Sequence, residues 1–121
     1  MDYFLDTYAM IEIVKGNEDY KKYLNMKFIT TKYNLAELHY FFLTRFDLKT
    51  ADLYLKKFSV YVVDFSIEVI SKAMIFRKKM RENIRISYID CLGYIIAITN
   101  NTKFLTGDDH FKNLPHVEFI K

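Results

Sequence analysis

The stretch TKFLTGDDHF, residues 102–111, sets a short apolar run, Phe104 and Leu105, directly against two adjacent carboxylates, Asp108 and Asp109. Asp beside Gly reads first as a turn, because Gly takes positive φ freely and Asp bonds to its own backbone. A turn needs only one aspartate, and the same event occurs at the other end of the chain. MDYFLD, residues 1–6, places Asp6 directly after Tyr3, Phe4 and Leu5, so two apolar strands end in acid. Two further carboxylates, Glu37 in NLAELHY and Asp90 in SYIDCLGYIIA, interrupt segments otherwise patterned as apolar helix.

Between these landmarks the pattern alternates. After a strand over 3–6, TYAMIEIVKG reads as a helix with Gly16 past its end, and EDYKKYLN as a second short helix. KFIT, 27–30, is the next strand. The long helix that follows from Thr31 carries Leu35, Leu38, Phe42 and Phe46 as one stripe, and Asp47 caps another with Leu48, Ala51, Leu55 and Phe58. VYVV, 60–63, is β-branched and expected as a third strand; Ser66 then caps a helix with Ile67, Ile70 and Met74 on one face. A helix over 87–100, a strand in TKFLT and a fifth in VEFI complete the order.

Strands separated by helices imply a parallel sheet covered on both faces, because parallel neighbours need crossover connections. The expected class is α/β: one domain over 1–121, three layers α/β/α around a central, mainly parallel five-stranded sheet. In such sheets the functional crevice lies beyond the carboxyl ends of the strands where strand order reverses. If the strands ending at Asp6 and Asp108 are neighbours there, the two carboxylates face each other.

The chain has 121 residues, 51% of them hydrophobic, with only three Gly and one Pro, which excludes linkers and low-complexity segments. A lone cysteine, Cys91, forms no intramolecular disulfide and suits a reducing cytoplasm. The start lacks the basic and apolar regions of a signal peptide, and the longest uncharged run, 91–102, is too short to span a bilayer, so no membrane association is expected. The net charge is +3, and FRKKMRENIR gathers Arg77, Lys78, Lys79, Arg81 and Arg85 against Glu82 alone. Such a patch is either a solvated helix end, with cations favoured by the dipole, or a surface that follows phosphates.

Asp90 has a structural reading of its own, since Ser87-Tyr88-Ile89-Asp90 matches the S-x-x-D capping box. Gly93 and Ala97 share its helix face, however, and small residues let a helix lie close to a sheet, bringing Asp90 toward Asp6. Glu37 taken singly is a solvated helical acid; its weight comes from its company. Crowded carboxylates stay ionised at neutral pH only with a cation among them, and oxygen donors without Cys or paired His favour a hard ion, Mg²⁺ or Mn²⁺. His39, His110 and His116 show no metal-ligand spacing and are expected to be surface or structural.

LDTYAMIE, NLAEL and YIDCLGYIIA leading into FLTGDDHF together resemble the PIN-domain family of nucleases, most like the VapC-type toxins of toxin-antitoxin pairs. The resemblance covers essentially the whole chain and is strongest from Asp90 to Phe111, where T-x-D-x-x-F closes the block. It implies hydrolysis of RNA by water activated on Mg²⁺ or Mn²⁺, with Asp6, Asp90 and Asp108 holding metal and Glu37 binding a second ion or orienting water. Thr106, Thr7 and Asp109 are implied in support, Asp109 being the residue a shifted turn would exchange with Asp108. It also implies a homodimer or an antitoxin docked on the long helix, where Tyr33, Tyr40, Phe41 and Leu43 extend the apolar surface beyond one stripe.

Four other readings share features with this one. A phospho-acceptor receiver also carries aspartates at strand ends, but needs a lysine near the end of the last strand. A haloacid-type phosphatase needs D-x-D after the first strand, where this chain has Asp6, Thr7 and Tyr8. A PIN-like fold can also serve as an RNA-processing nuclease without antitoxin, or as a non-catalytic binding module.

Overall fold

The computed structural model describes residues 2–80 and 86–121. Its sheet is built on β1 (Tyr3–Leu5), flanked by β2 (Phe28–Ile29) and β3 (Lys103–Thr106), with β4 (Val117–Phe119) outside β3. All pairings are parallel, and the order is β2-β1-β3-β4. Strand order reverses between β1 and β3, whose registers align Phe4 with Phe104 and Leu5 with Leu105. The strands that end in acid are therefore neighbours.

Side chains alternate across the sheet, which sorts the core into two halves. Tyr3, Leu5 and Leu105 face α1 (Thr7–Val14), α2 (Lys32–Arg45) and α3 (Leu48–Phe58). Phe4 and Phe104 face α4 (Ile67–Lys79) and α5 (Tyr88–Thr99). With both faces covered, β1 reads as a continuous apolar run rather than an alternating one.

The α5 helix lies unusually close to the sheet. A Cβ built on Gly93 would stand 2.8 Å from the Phe4 ring and 3.2 Å from that of Phe104. Tyr94, beside it, is buried and donates from its hydroxyl to the Pro115 carbonyl at 2.7 Å, its ring packed on Phe104 and Phe111. Gly93→Ala is expected to destabilise the protein by about 1–3 kcal/mol through overpacking, read as a lower denaturant midpoint; an unchanged midpoint would show that Phe4 yields freely.

Among the described residues the sheet has four strands, not five. VYVV contributes no strand: the backbone runs from α3 into a 3₁₀ turn, Ser59–Tyr61, and only Val62 bridges Thr30. Tyr61 and Val63 each exchange one hydrogen bond with Thr30, while Val60 is 76% exposed. β-Branched composition there serves an edge contact of one residue, too short for a ladder.

Other expectations shift in detail. EDYKKYLN is a 3₁₀ segment, Glu18–Tyr23, started by Asn17, whose side chain accepts from the Asp19 amide at 2.9 Å. Three residues per turn set Tyr20 and Tyr23 on one side, both buried. Phe46 caps α2 and is exposed, as is Leu48 at the start of α3. On α4 the buried face is Val69 and Ala73, and Ile67 and Ile70 point outward. Ser66 is the N-cap residue but its side chain makes no capping bond.

Candidate active site

Asp6 leaves β1 and becomes the N-cap of α1. Its Oδ1 accepts from the Ala9 amide at 2.7 Å and its Oδ2 from the Thr106 hydroxyl across the β1/β3 boundary. It is 2% exposed. Thr106 Oγ1 in turn accepts from the Asp108 amide at 3.0 Å, so the turn after β3 is tied to the end of β1. Gly107 is required between them, because a Cβ there would stand 2.1 Å from the Tyr8 ring.

Asp90 does both things its sequence context suggested. The capping box forms, with the Asp90 amide donating to Ser87 Oγ at 3.0 Å and the Ser87 amide to Asp90 Oδ2 at 3.4 Å. Asp90 also borders a cleft of about 460 Å³, which Asp6, Thr7, Glu37, Asp108 and Asp109 border as well. Glu37 enters from α2 and accepts from the Thr7 hydroxyl at 2.5 Å. Acids far apart in the chain thus meet beyond the carboxyl ends of β1 and β3.

Burial, with the charges of Asp90 and Asp108 adding to it, pushes the Asp6 carboxyl up to about 8 against the lowering effect of its bonds from Thr106 and Ala9. Burial likewise raises Asp90, with Asp108 adding to it, and Glu37, with Asp90 adding to it. These are carboxyls short of countercharge, held toward the protonated form. Asp109 differs: it is exposed, its carboxylate accepts from Lys121 Nζ at 2.5 Å, and that bond holds it below the usual carboxylate range.

The donor set fits a hard divalent ion, being all carboxylate oxygen apart from one imidazole. Among the described residues no three acidic, His or Cys side chains stand close enough to enclose an ion without moving. Asp90, Asp108 and Glu37 each engage one oxygen in a local hydrogen bond and keep the other without a protein donor among the described residues. Small side-chain rotations are what closure would need.

Four neighbours of the cleft were not singled out by sequence. His110 borders it, and its Nδ1 lies 2.8 Å from Asp108 Oδ1, which also accepts from the His110 amide at 2.9 Å. Its place inside T-x-D-x-x-F was the available signal. Asn34 is buried and reaches Thr7 Oγ1 at 3.3 Å; Tyr8 and Lys121 complete the rim. Lys121 follows β4 and so stands where a phospho-acceptor site would need a lysine, but it is paired with Asp109.

The described part of the basic patch lies elsewhere. Arg77, Lys78 and Lys79 form the last turn of α4 outside the cleft lining, and the Arg77 guanidinium covers the Tyr88 ring at 4.3 Å. Arg81 and Arg85 lie outside the described residues. Among the described residues no helix is long and apolar enough to cross a membrane.

An open parallel α/β sheet with its cleft at the switch point between β1 and β3 defines the class of protein. The chain belongs to the PIN-domain family of nucleases, whose model matches residues 3–117. No curated protein sequence matches it significantly. Its fold is similar to that of VapBC2 from Rickettsia felis, solved bound to a DNA fragment from their promoter, at 22% identity and a TM-score of 0.76, covering 99% of this chain and 98% of that one. A toxin-antitoxin complex from Klebsiella pneumoniae matches at 14% identity and TM-score 0.74 over 96% and 95% of the two chains. VapBC-1 from nontypeable Haemophilus influenzae matches at 14% and 0.71 over 100% and 98%.

Proposed function

We propose that the chain is a Mg²⁺- or Mn²⁺-dependent endoribonuclease, the toxin of a toxin-antitoxin pair. The observation that carries this reading is the meeting of Asp6, Glu37, Asp90 and Asp108 around one cleft, in a chain of the PIN-domain family. Asp6, Asp90 and Asp108 would hold the ion. When bound, it supplies Lewis-acid activation of water and neutralises charge developing on the phosphate. Asp6 is fixed by Thr106 and the α1 amide, so its two oxygens are held in place before substrate arrives. Glu37, oriented by Thr7, would orient the attacking water or hold a second ion. No protein nucleophile is required.

Asp108 rather than Asp109 is taken as the fourth acid, because it is the one linked through Thr106 to Asp6. Asp108→Asn is expected to remove cleavage, whereas Asp109→Asn breaks only an exposed ion pair worth less than about 1 kcal/mol and should leave rates within roughly threefold. Equal losses in the two variants would reverse the assignment. The receiver-like reading that Lys121 suggests is tested with acetyl phosphate, which a nuclease should not convert to an acyl-phosphate on Asp6.

In this reading an antitoxin segment would dock on the α2 side. There Phe41, Phe42, Phe46, Tyr54 and Val14 line an apolar groove of about 430 Å³ edged by Lys15 and Arg45. Phe41 also borders the acidic cleft, so one bound segment would pass from groove to cleft and could deliver a cation to the carboxylates. Tyr40, beside it, is 68% exposed. A homodimer is implied by the same family resemblance; sedimentation at tens of micromolar should show a species larger than the monomer, and a strict monomer would overturn it.

A further inference from the structure

Asn34 is 1% exposed and lies one turn before Glu37 on α2, and with the Glu37 carboxylate ionised, and so only accepting, its hydrogen bonds take one polarity. Its backbone N–H donates to Thr31 Oγ1 at 3.2 Å, and the Thr31 hydroxyl donates its own proton to Asn34 Oδ1 at 2.6 Å. With Oδ1 as the accepting atom, the amide nitrogen Nδ2 is the one that meets Thr7 Oγ1, at 3.3 Å. An amide nitrogen only donates, so the Thr7 oxygen accepts there. The single Thr7 proton then goes to Glu37 Oε1 at 2.5 Å. Proton donation runs one way, from Thr31 through Asn34 and Thr7 to Glu37.

We propose that Asn34 is a positioning residue of the active site: by donating to Thr7 it fixes the Thr7 hydroxyl as a donor to Glu37, and so holds the Glu37 carboxylate in one orientation at the cleft. A threonine hydroxyl left alone rotates to suit whichever partner is near. Here Thr31 and Asn34 are both buried, so water does not compete for the bond between them, while Thr7 and Glu37 are half-buried at the edge of the cleft. Thr31 is also the N-cap of α2, which ties the polarity of the chain to the start of the helix that carries Glu37. The catalytic consequence rests on the nuclease reading; the hydrogen-bond chain itself does not.

The test is a double-mutant cycle with a readout independent of catalysis. Asn34→Ala is expected to lower kcat for RNA cleavage about tenfold, as loss of an orienting partner typically does, with KM changed by less than about twofold. In a Thr7→Val background, Asn34→Ala should cost nothing further, because the link to Glu37 is already gone. Losses that multiply would overturn the proposal. Asn34→Asp keeps the shape but turns the donor into an acceptor that competes for the Thr7 proton, so it should cost more than Asn34→Ala; wild-type kcat in Asn34→Asp would overturn the proposal as well.

The second arm uses ¹⁵N NMR of the Asn34 side-chain amide in the metal-free protein. Glu37→Gln should shift those resonances, and the shift should vanish when Thr7 is Val. An amide that does not respond to Glu37→Gln overturns the chain, whatever the protein does to RNA. An amide that responds through Thr7 in a protein that cleaves no RNA supports the chain and refutes the nuclease reading, so the two failures are distinct.

Discussion

Asp90→Asn is expected to reduce Mn²⁺-supported cleavage of single-stranded RNA by roughly a thousandfold while leaving a folded protein. Removing a ligand that concentrates positive charge at the phosphate forfeits several kcal/mol of transition-state stabilisation, and about 1.4 kcal/mol is tenfold in rate. The fold should survive because the substitution leaves the α5 start intact. Asn keeps an oxygen able to accept from the Ser87 amide, and the bond from the Asp90 amide to Ser87 Oγ is made by backbone. Ser87→Ala is the converse control: it removes the cap, at a cost of about 1 kcal/mol, and spares the carboxylate. Wild-type activity in Asp90→Asn, or an uncooperative melt, would count against the site.

Metal-free protein should lose stability as pH rises from about 4 to about 8. The Asp6 carboxyl is pushed up to about 8 from an ordinary value of 3.8, chiefly by burial, so the folded state holds a proton that the unfolded state releases. A raised pKa contributes stability that is complete below the unfolded value and is lost as pH climbs through the folded one. Each unit in that window costs about 1.4 kcal/mol per proton. Asp90 and Glu37, raised in the same direction, add to the slope. Asp6→Asn removes the titration and keeps one acceptor oxygen, for the Ala9 amide, while its NH₂ would donate to Thr106 Oγ1 in place of the bond that Thr106 now donates. At pH 7 it should stabilise the metal-free protein by on the order of 4 kcal/mol, a rise in melting temperature of roughly 10 °C or more. Added Mn²⁺ should stabilise wild type and not the variant. A metal-free melting temperature independent of pH between 4 and 8 would remove the strained carboxylate from the account.

What could be read from sequence followed from the misfit of particular residues with their surroundings. Asp6 and Asp108 were legible because a charge at the end of an apolar strand has no packing explanation, and their meeting followed from the rule for parallel sheets once β1 and β3 were neighbours. Gly93 was legible through size. VYVV misled because β-branched composition does not say whether a partner strand has room for a ladder; Thr30 offers Val62 one bridge. The α4 stripe misled for a related reason. Ile67 and Ile70 match the helical period, but the close packing of α4 with α5 buries the smaller Val69 and Ala73 instead. Asn34 and Lys121 carried no signal as polar residues because their partners lie 27 and 12 positions away in sequence, and His110 carried only its place inside T-x-D-x-x-F, beside Asp108.

In the proposed reaction these carboxylates direct hydrolysis of RNA by water with a divalent ion. End-group analysis of cleaved single-stranded RNA tests it most directly. Purified protein with Mn²⁺ should yield linear monophosphate ends that incorporate oxygen from labelled water, and EDTA should abolish the reaction. Cleavage that survives EDTA, or products ending in 2′,3′-cyclic phosphate, would contradict it, because the ribose hydroxyl and not water would then be the nucleophile.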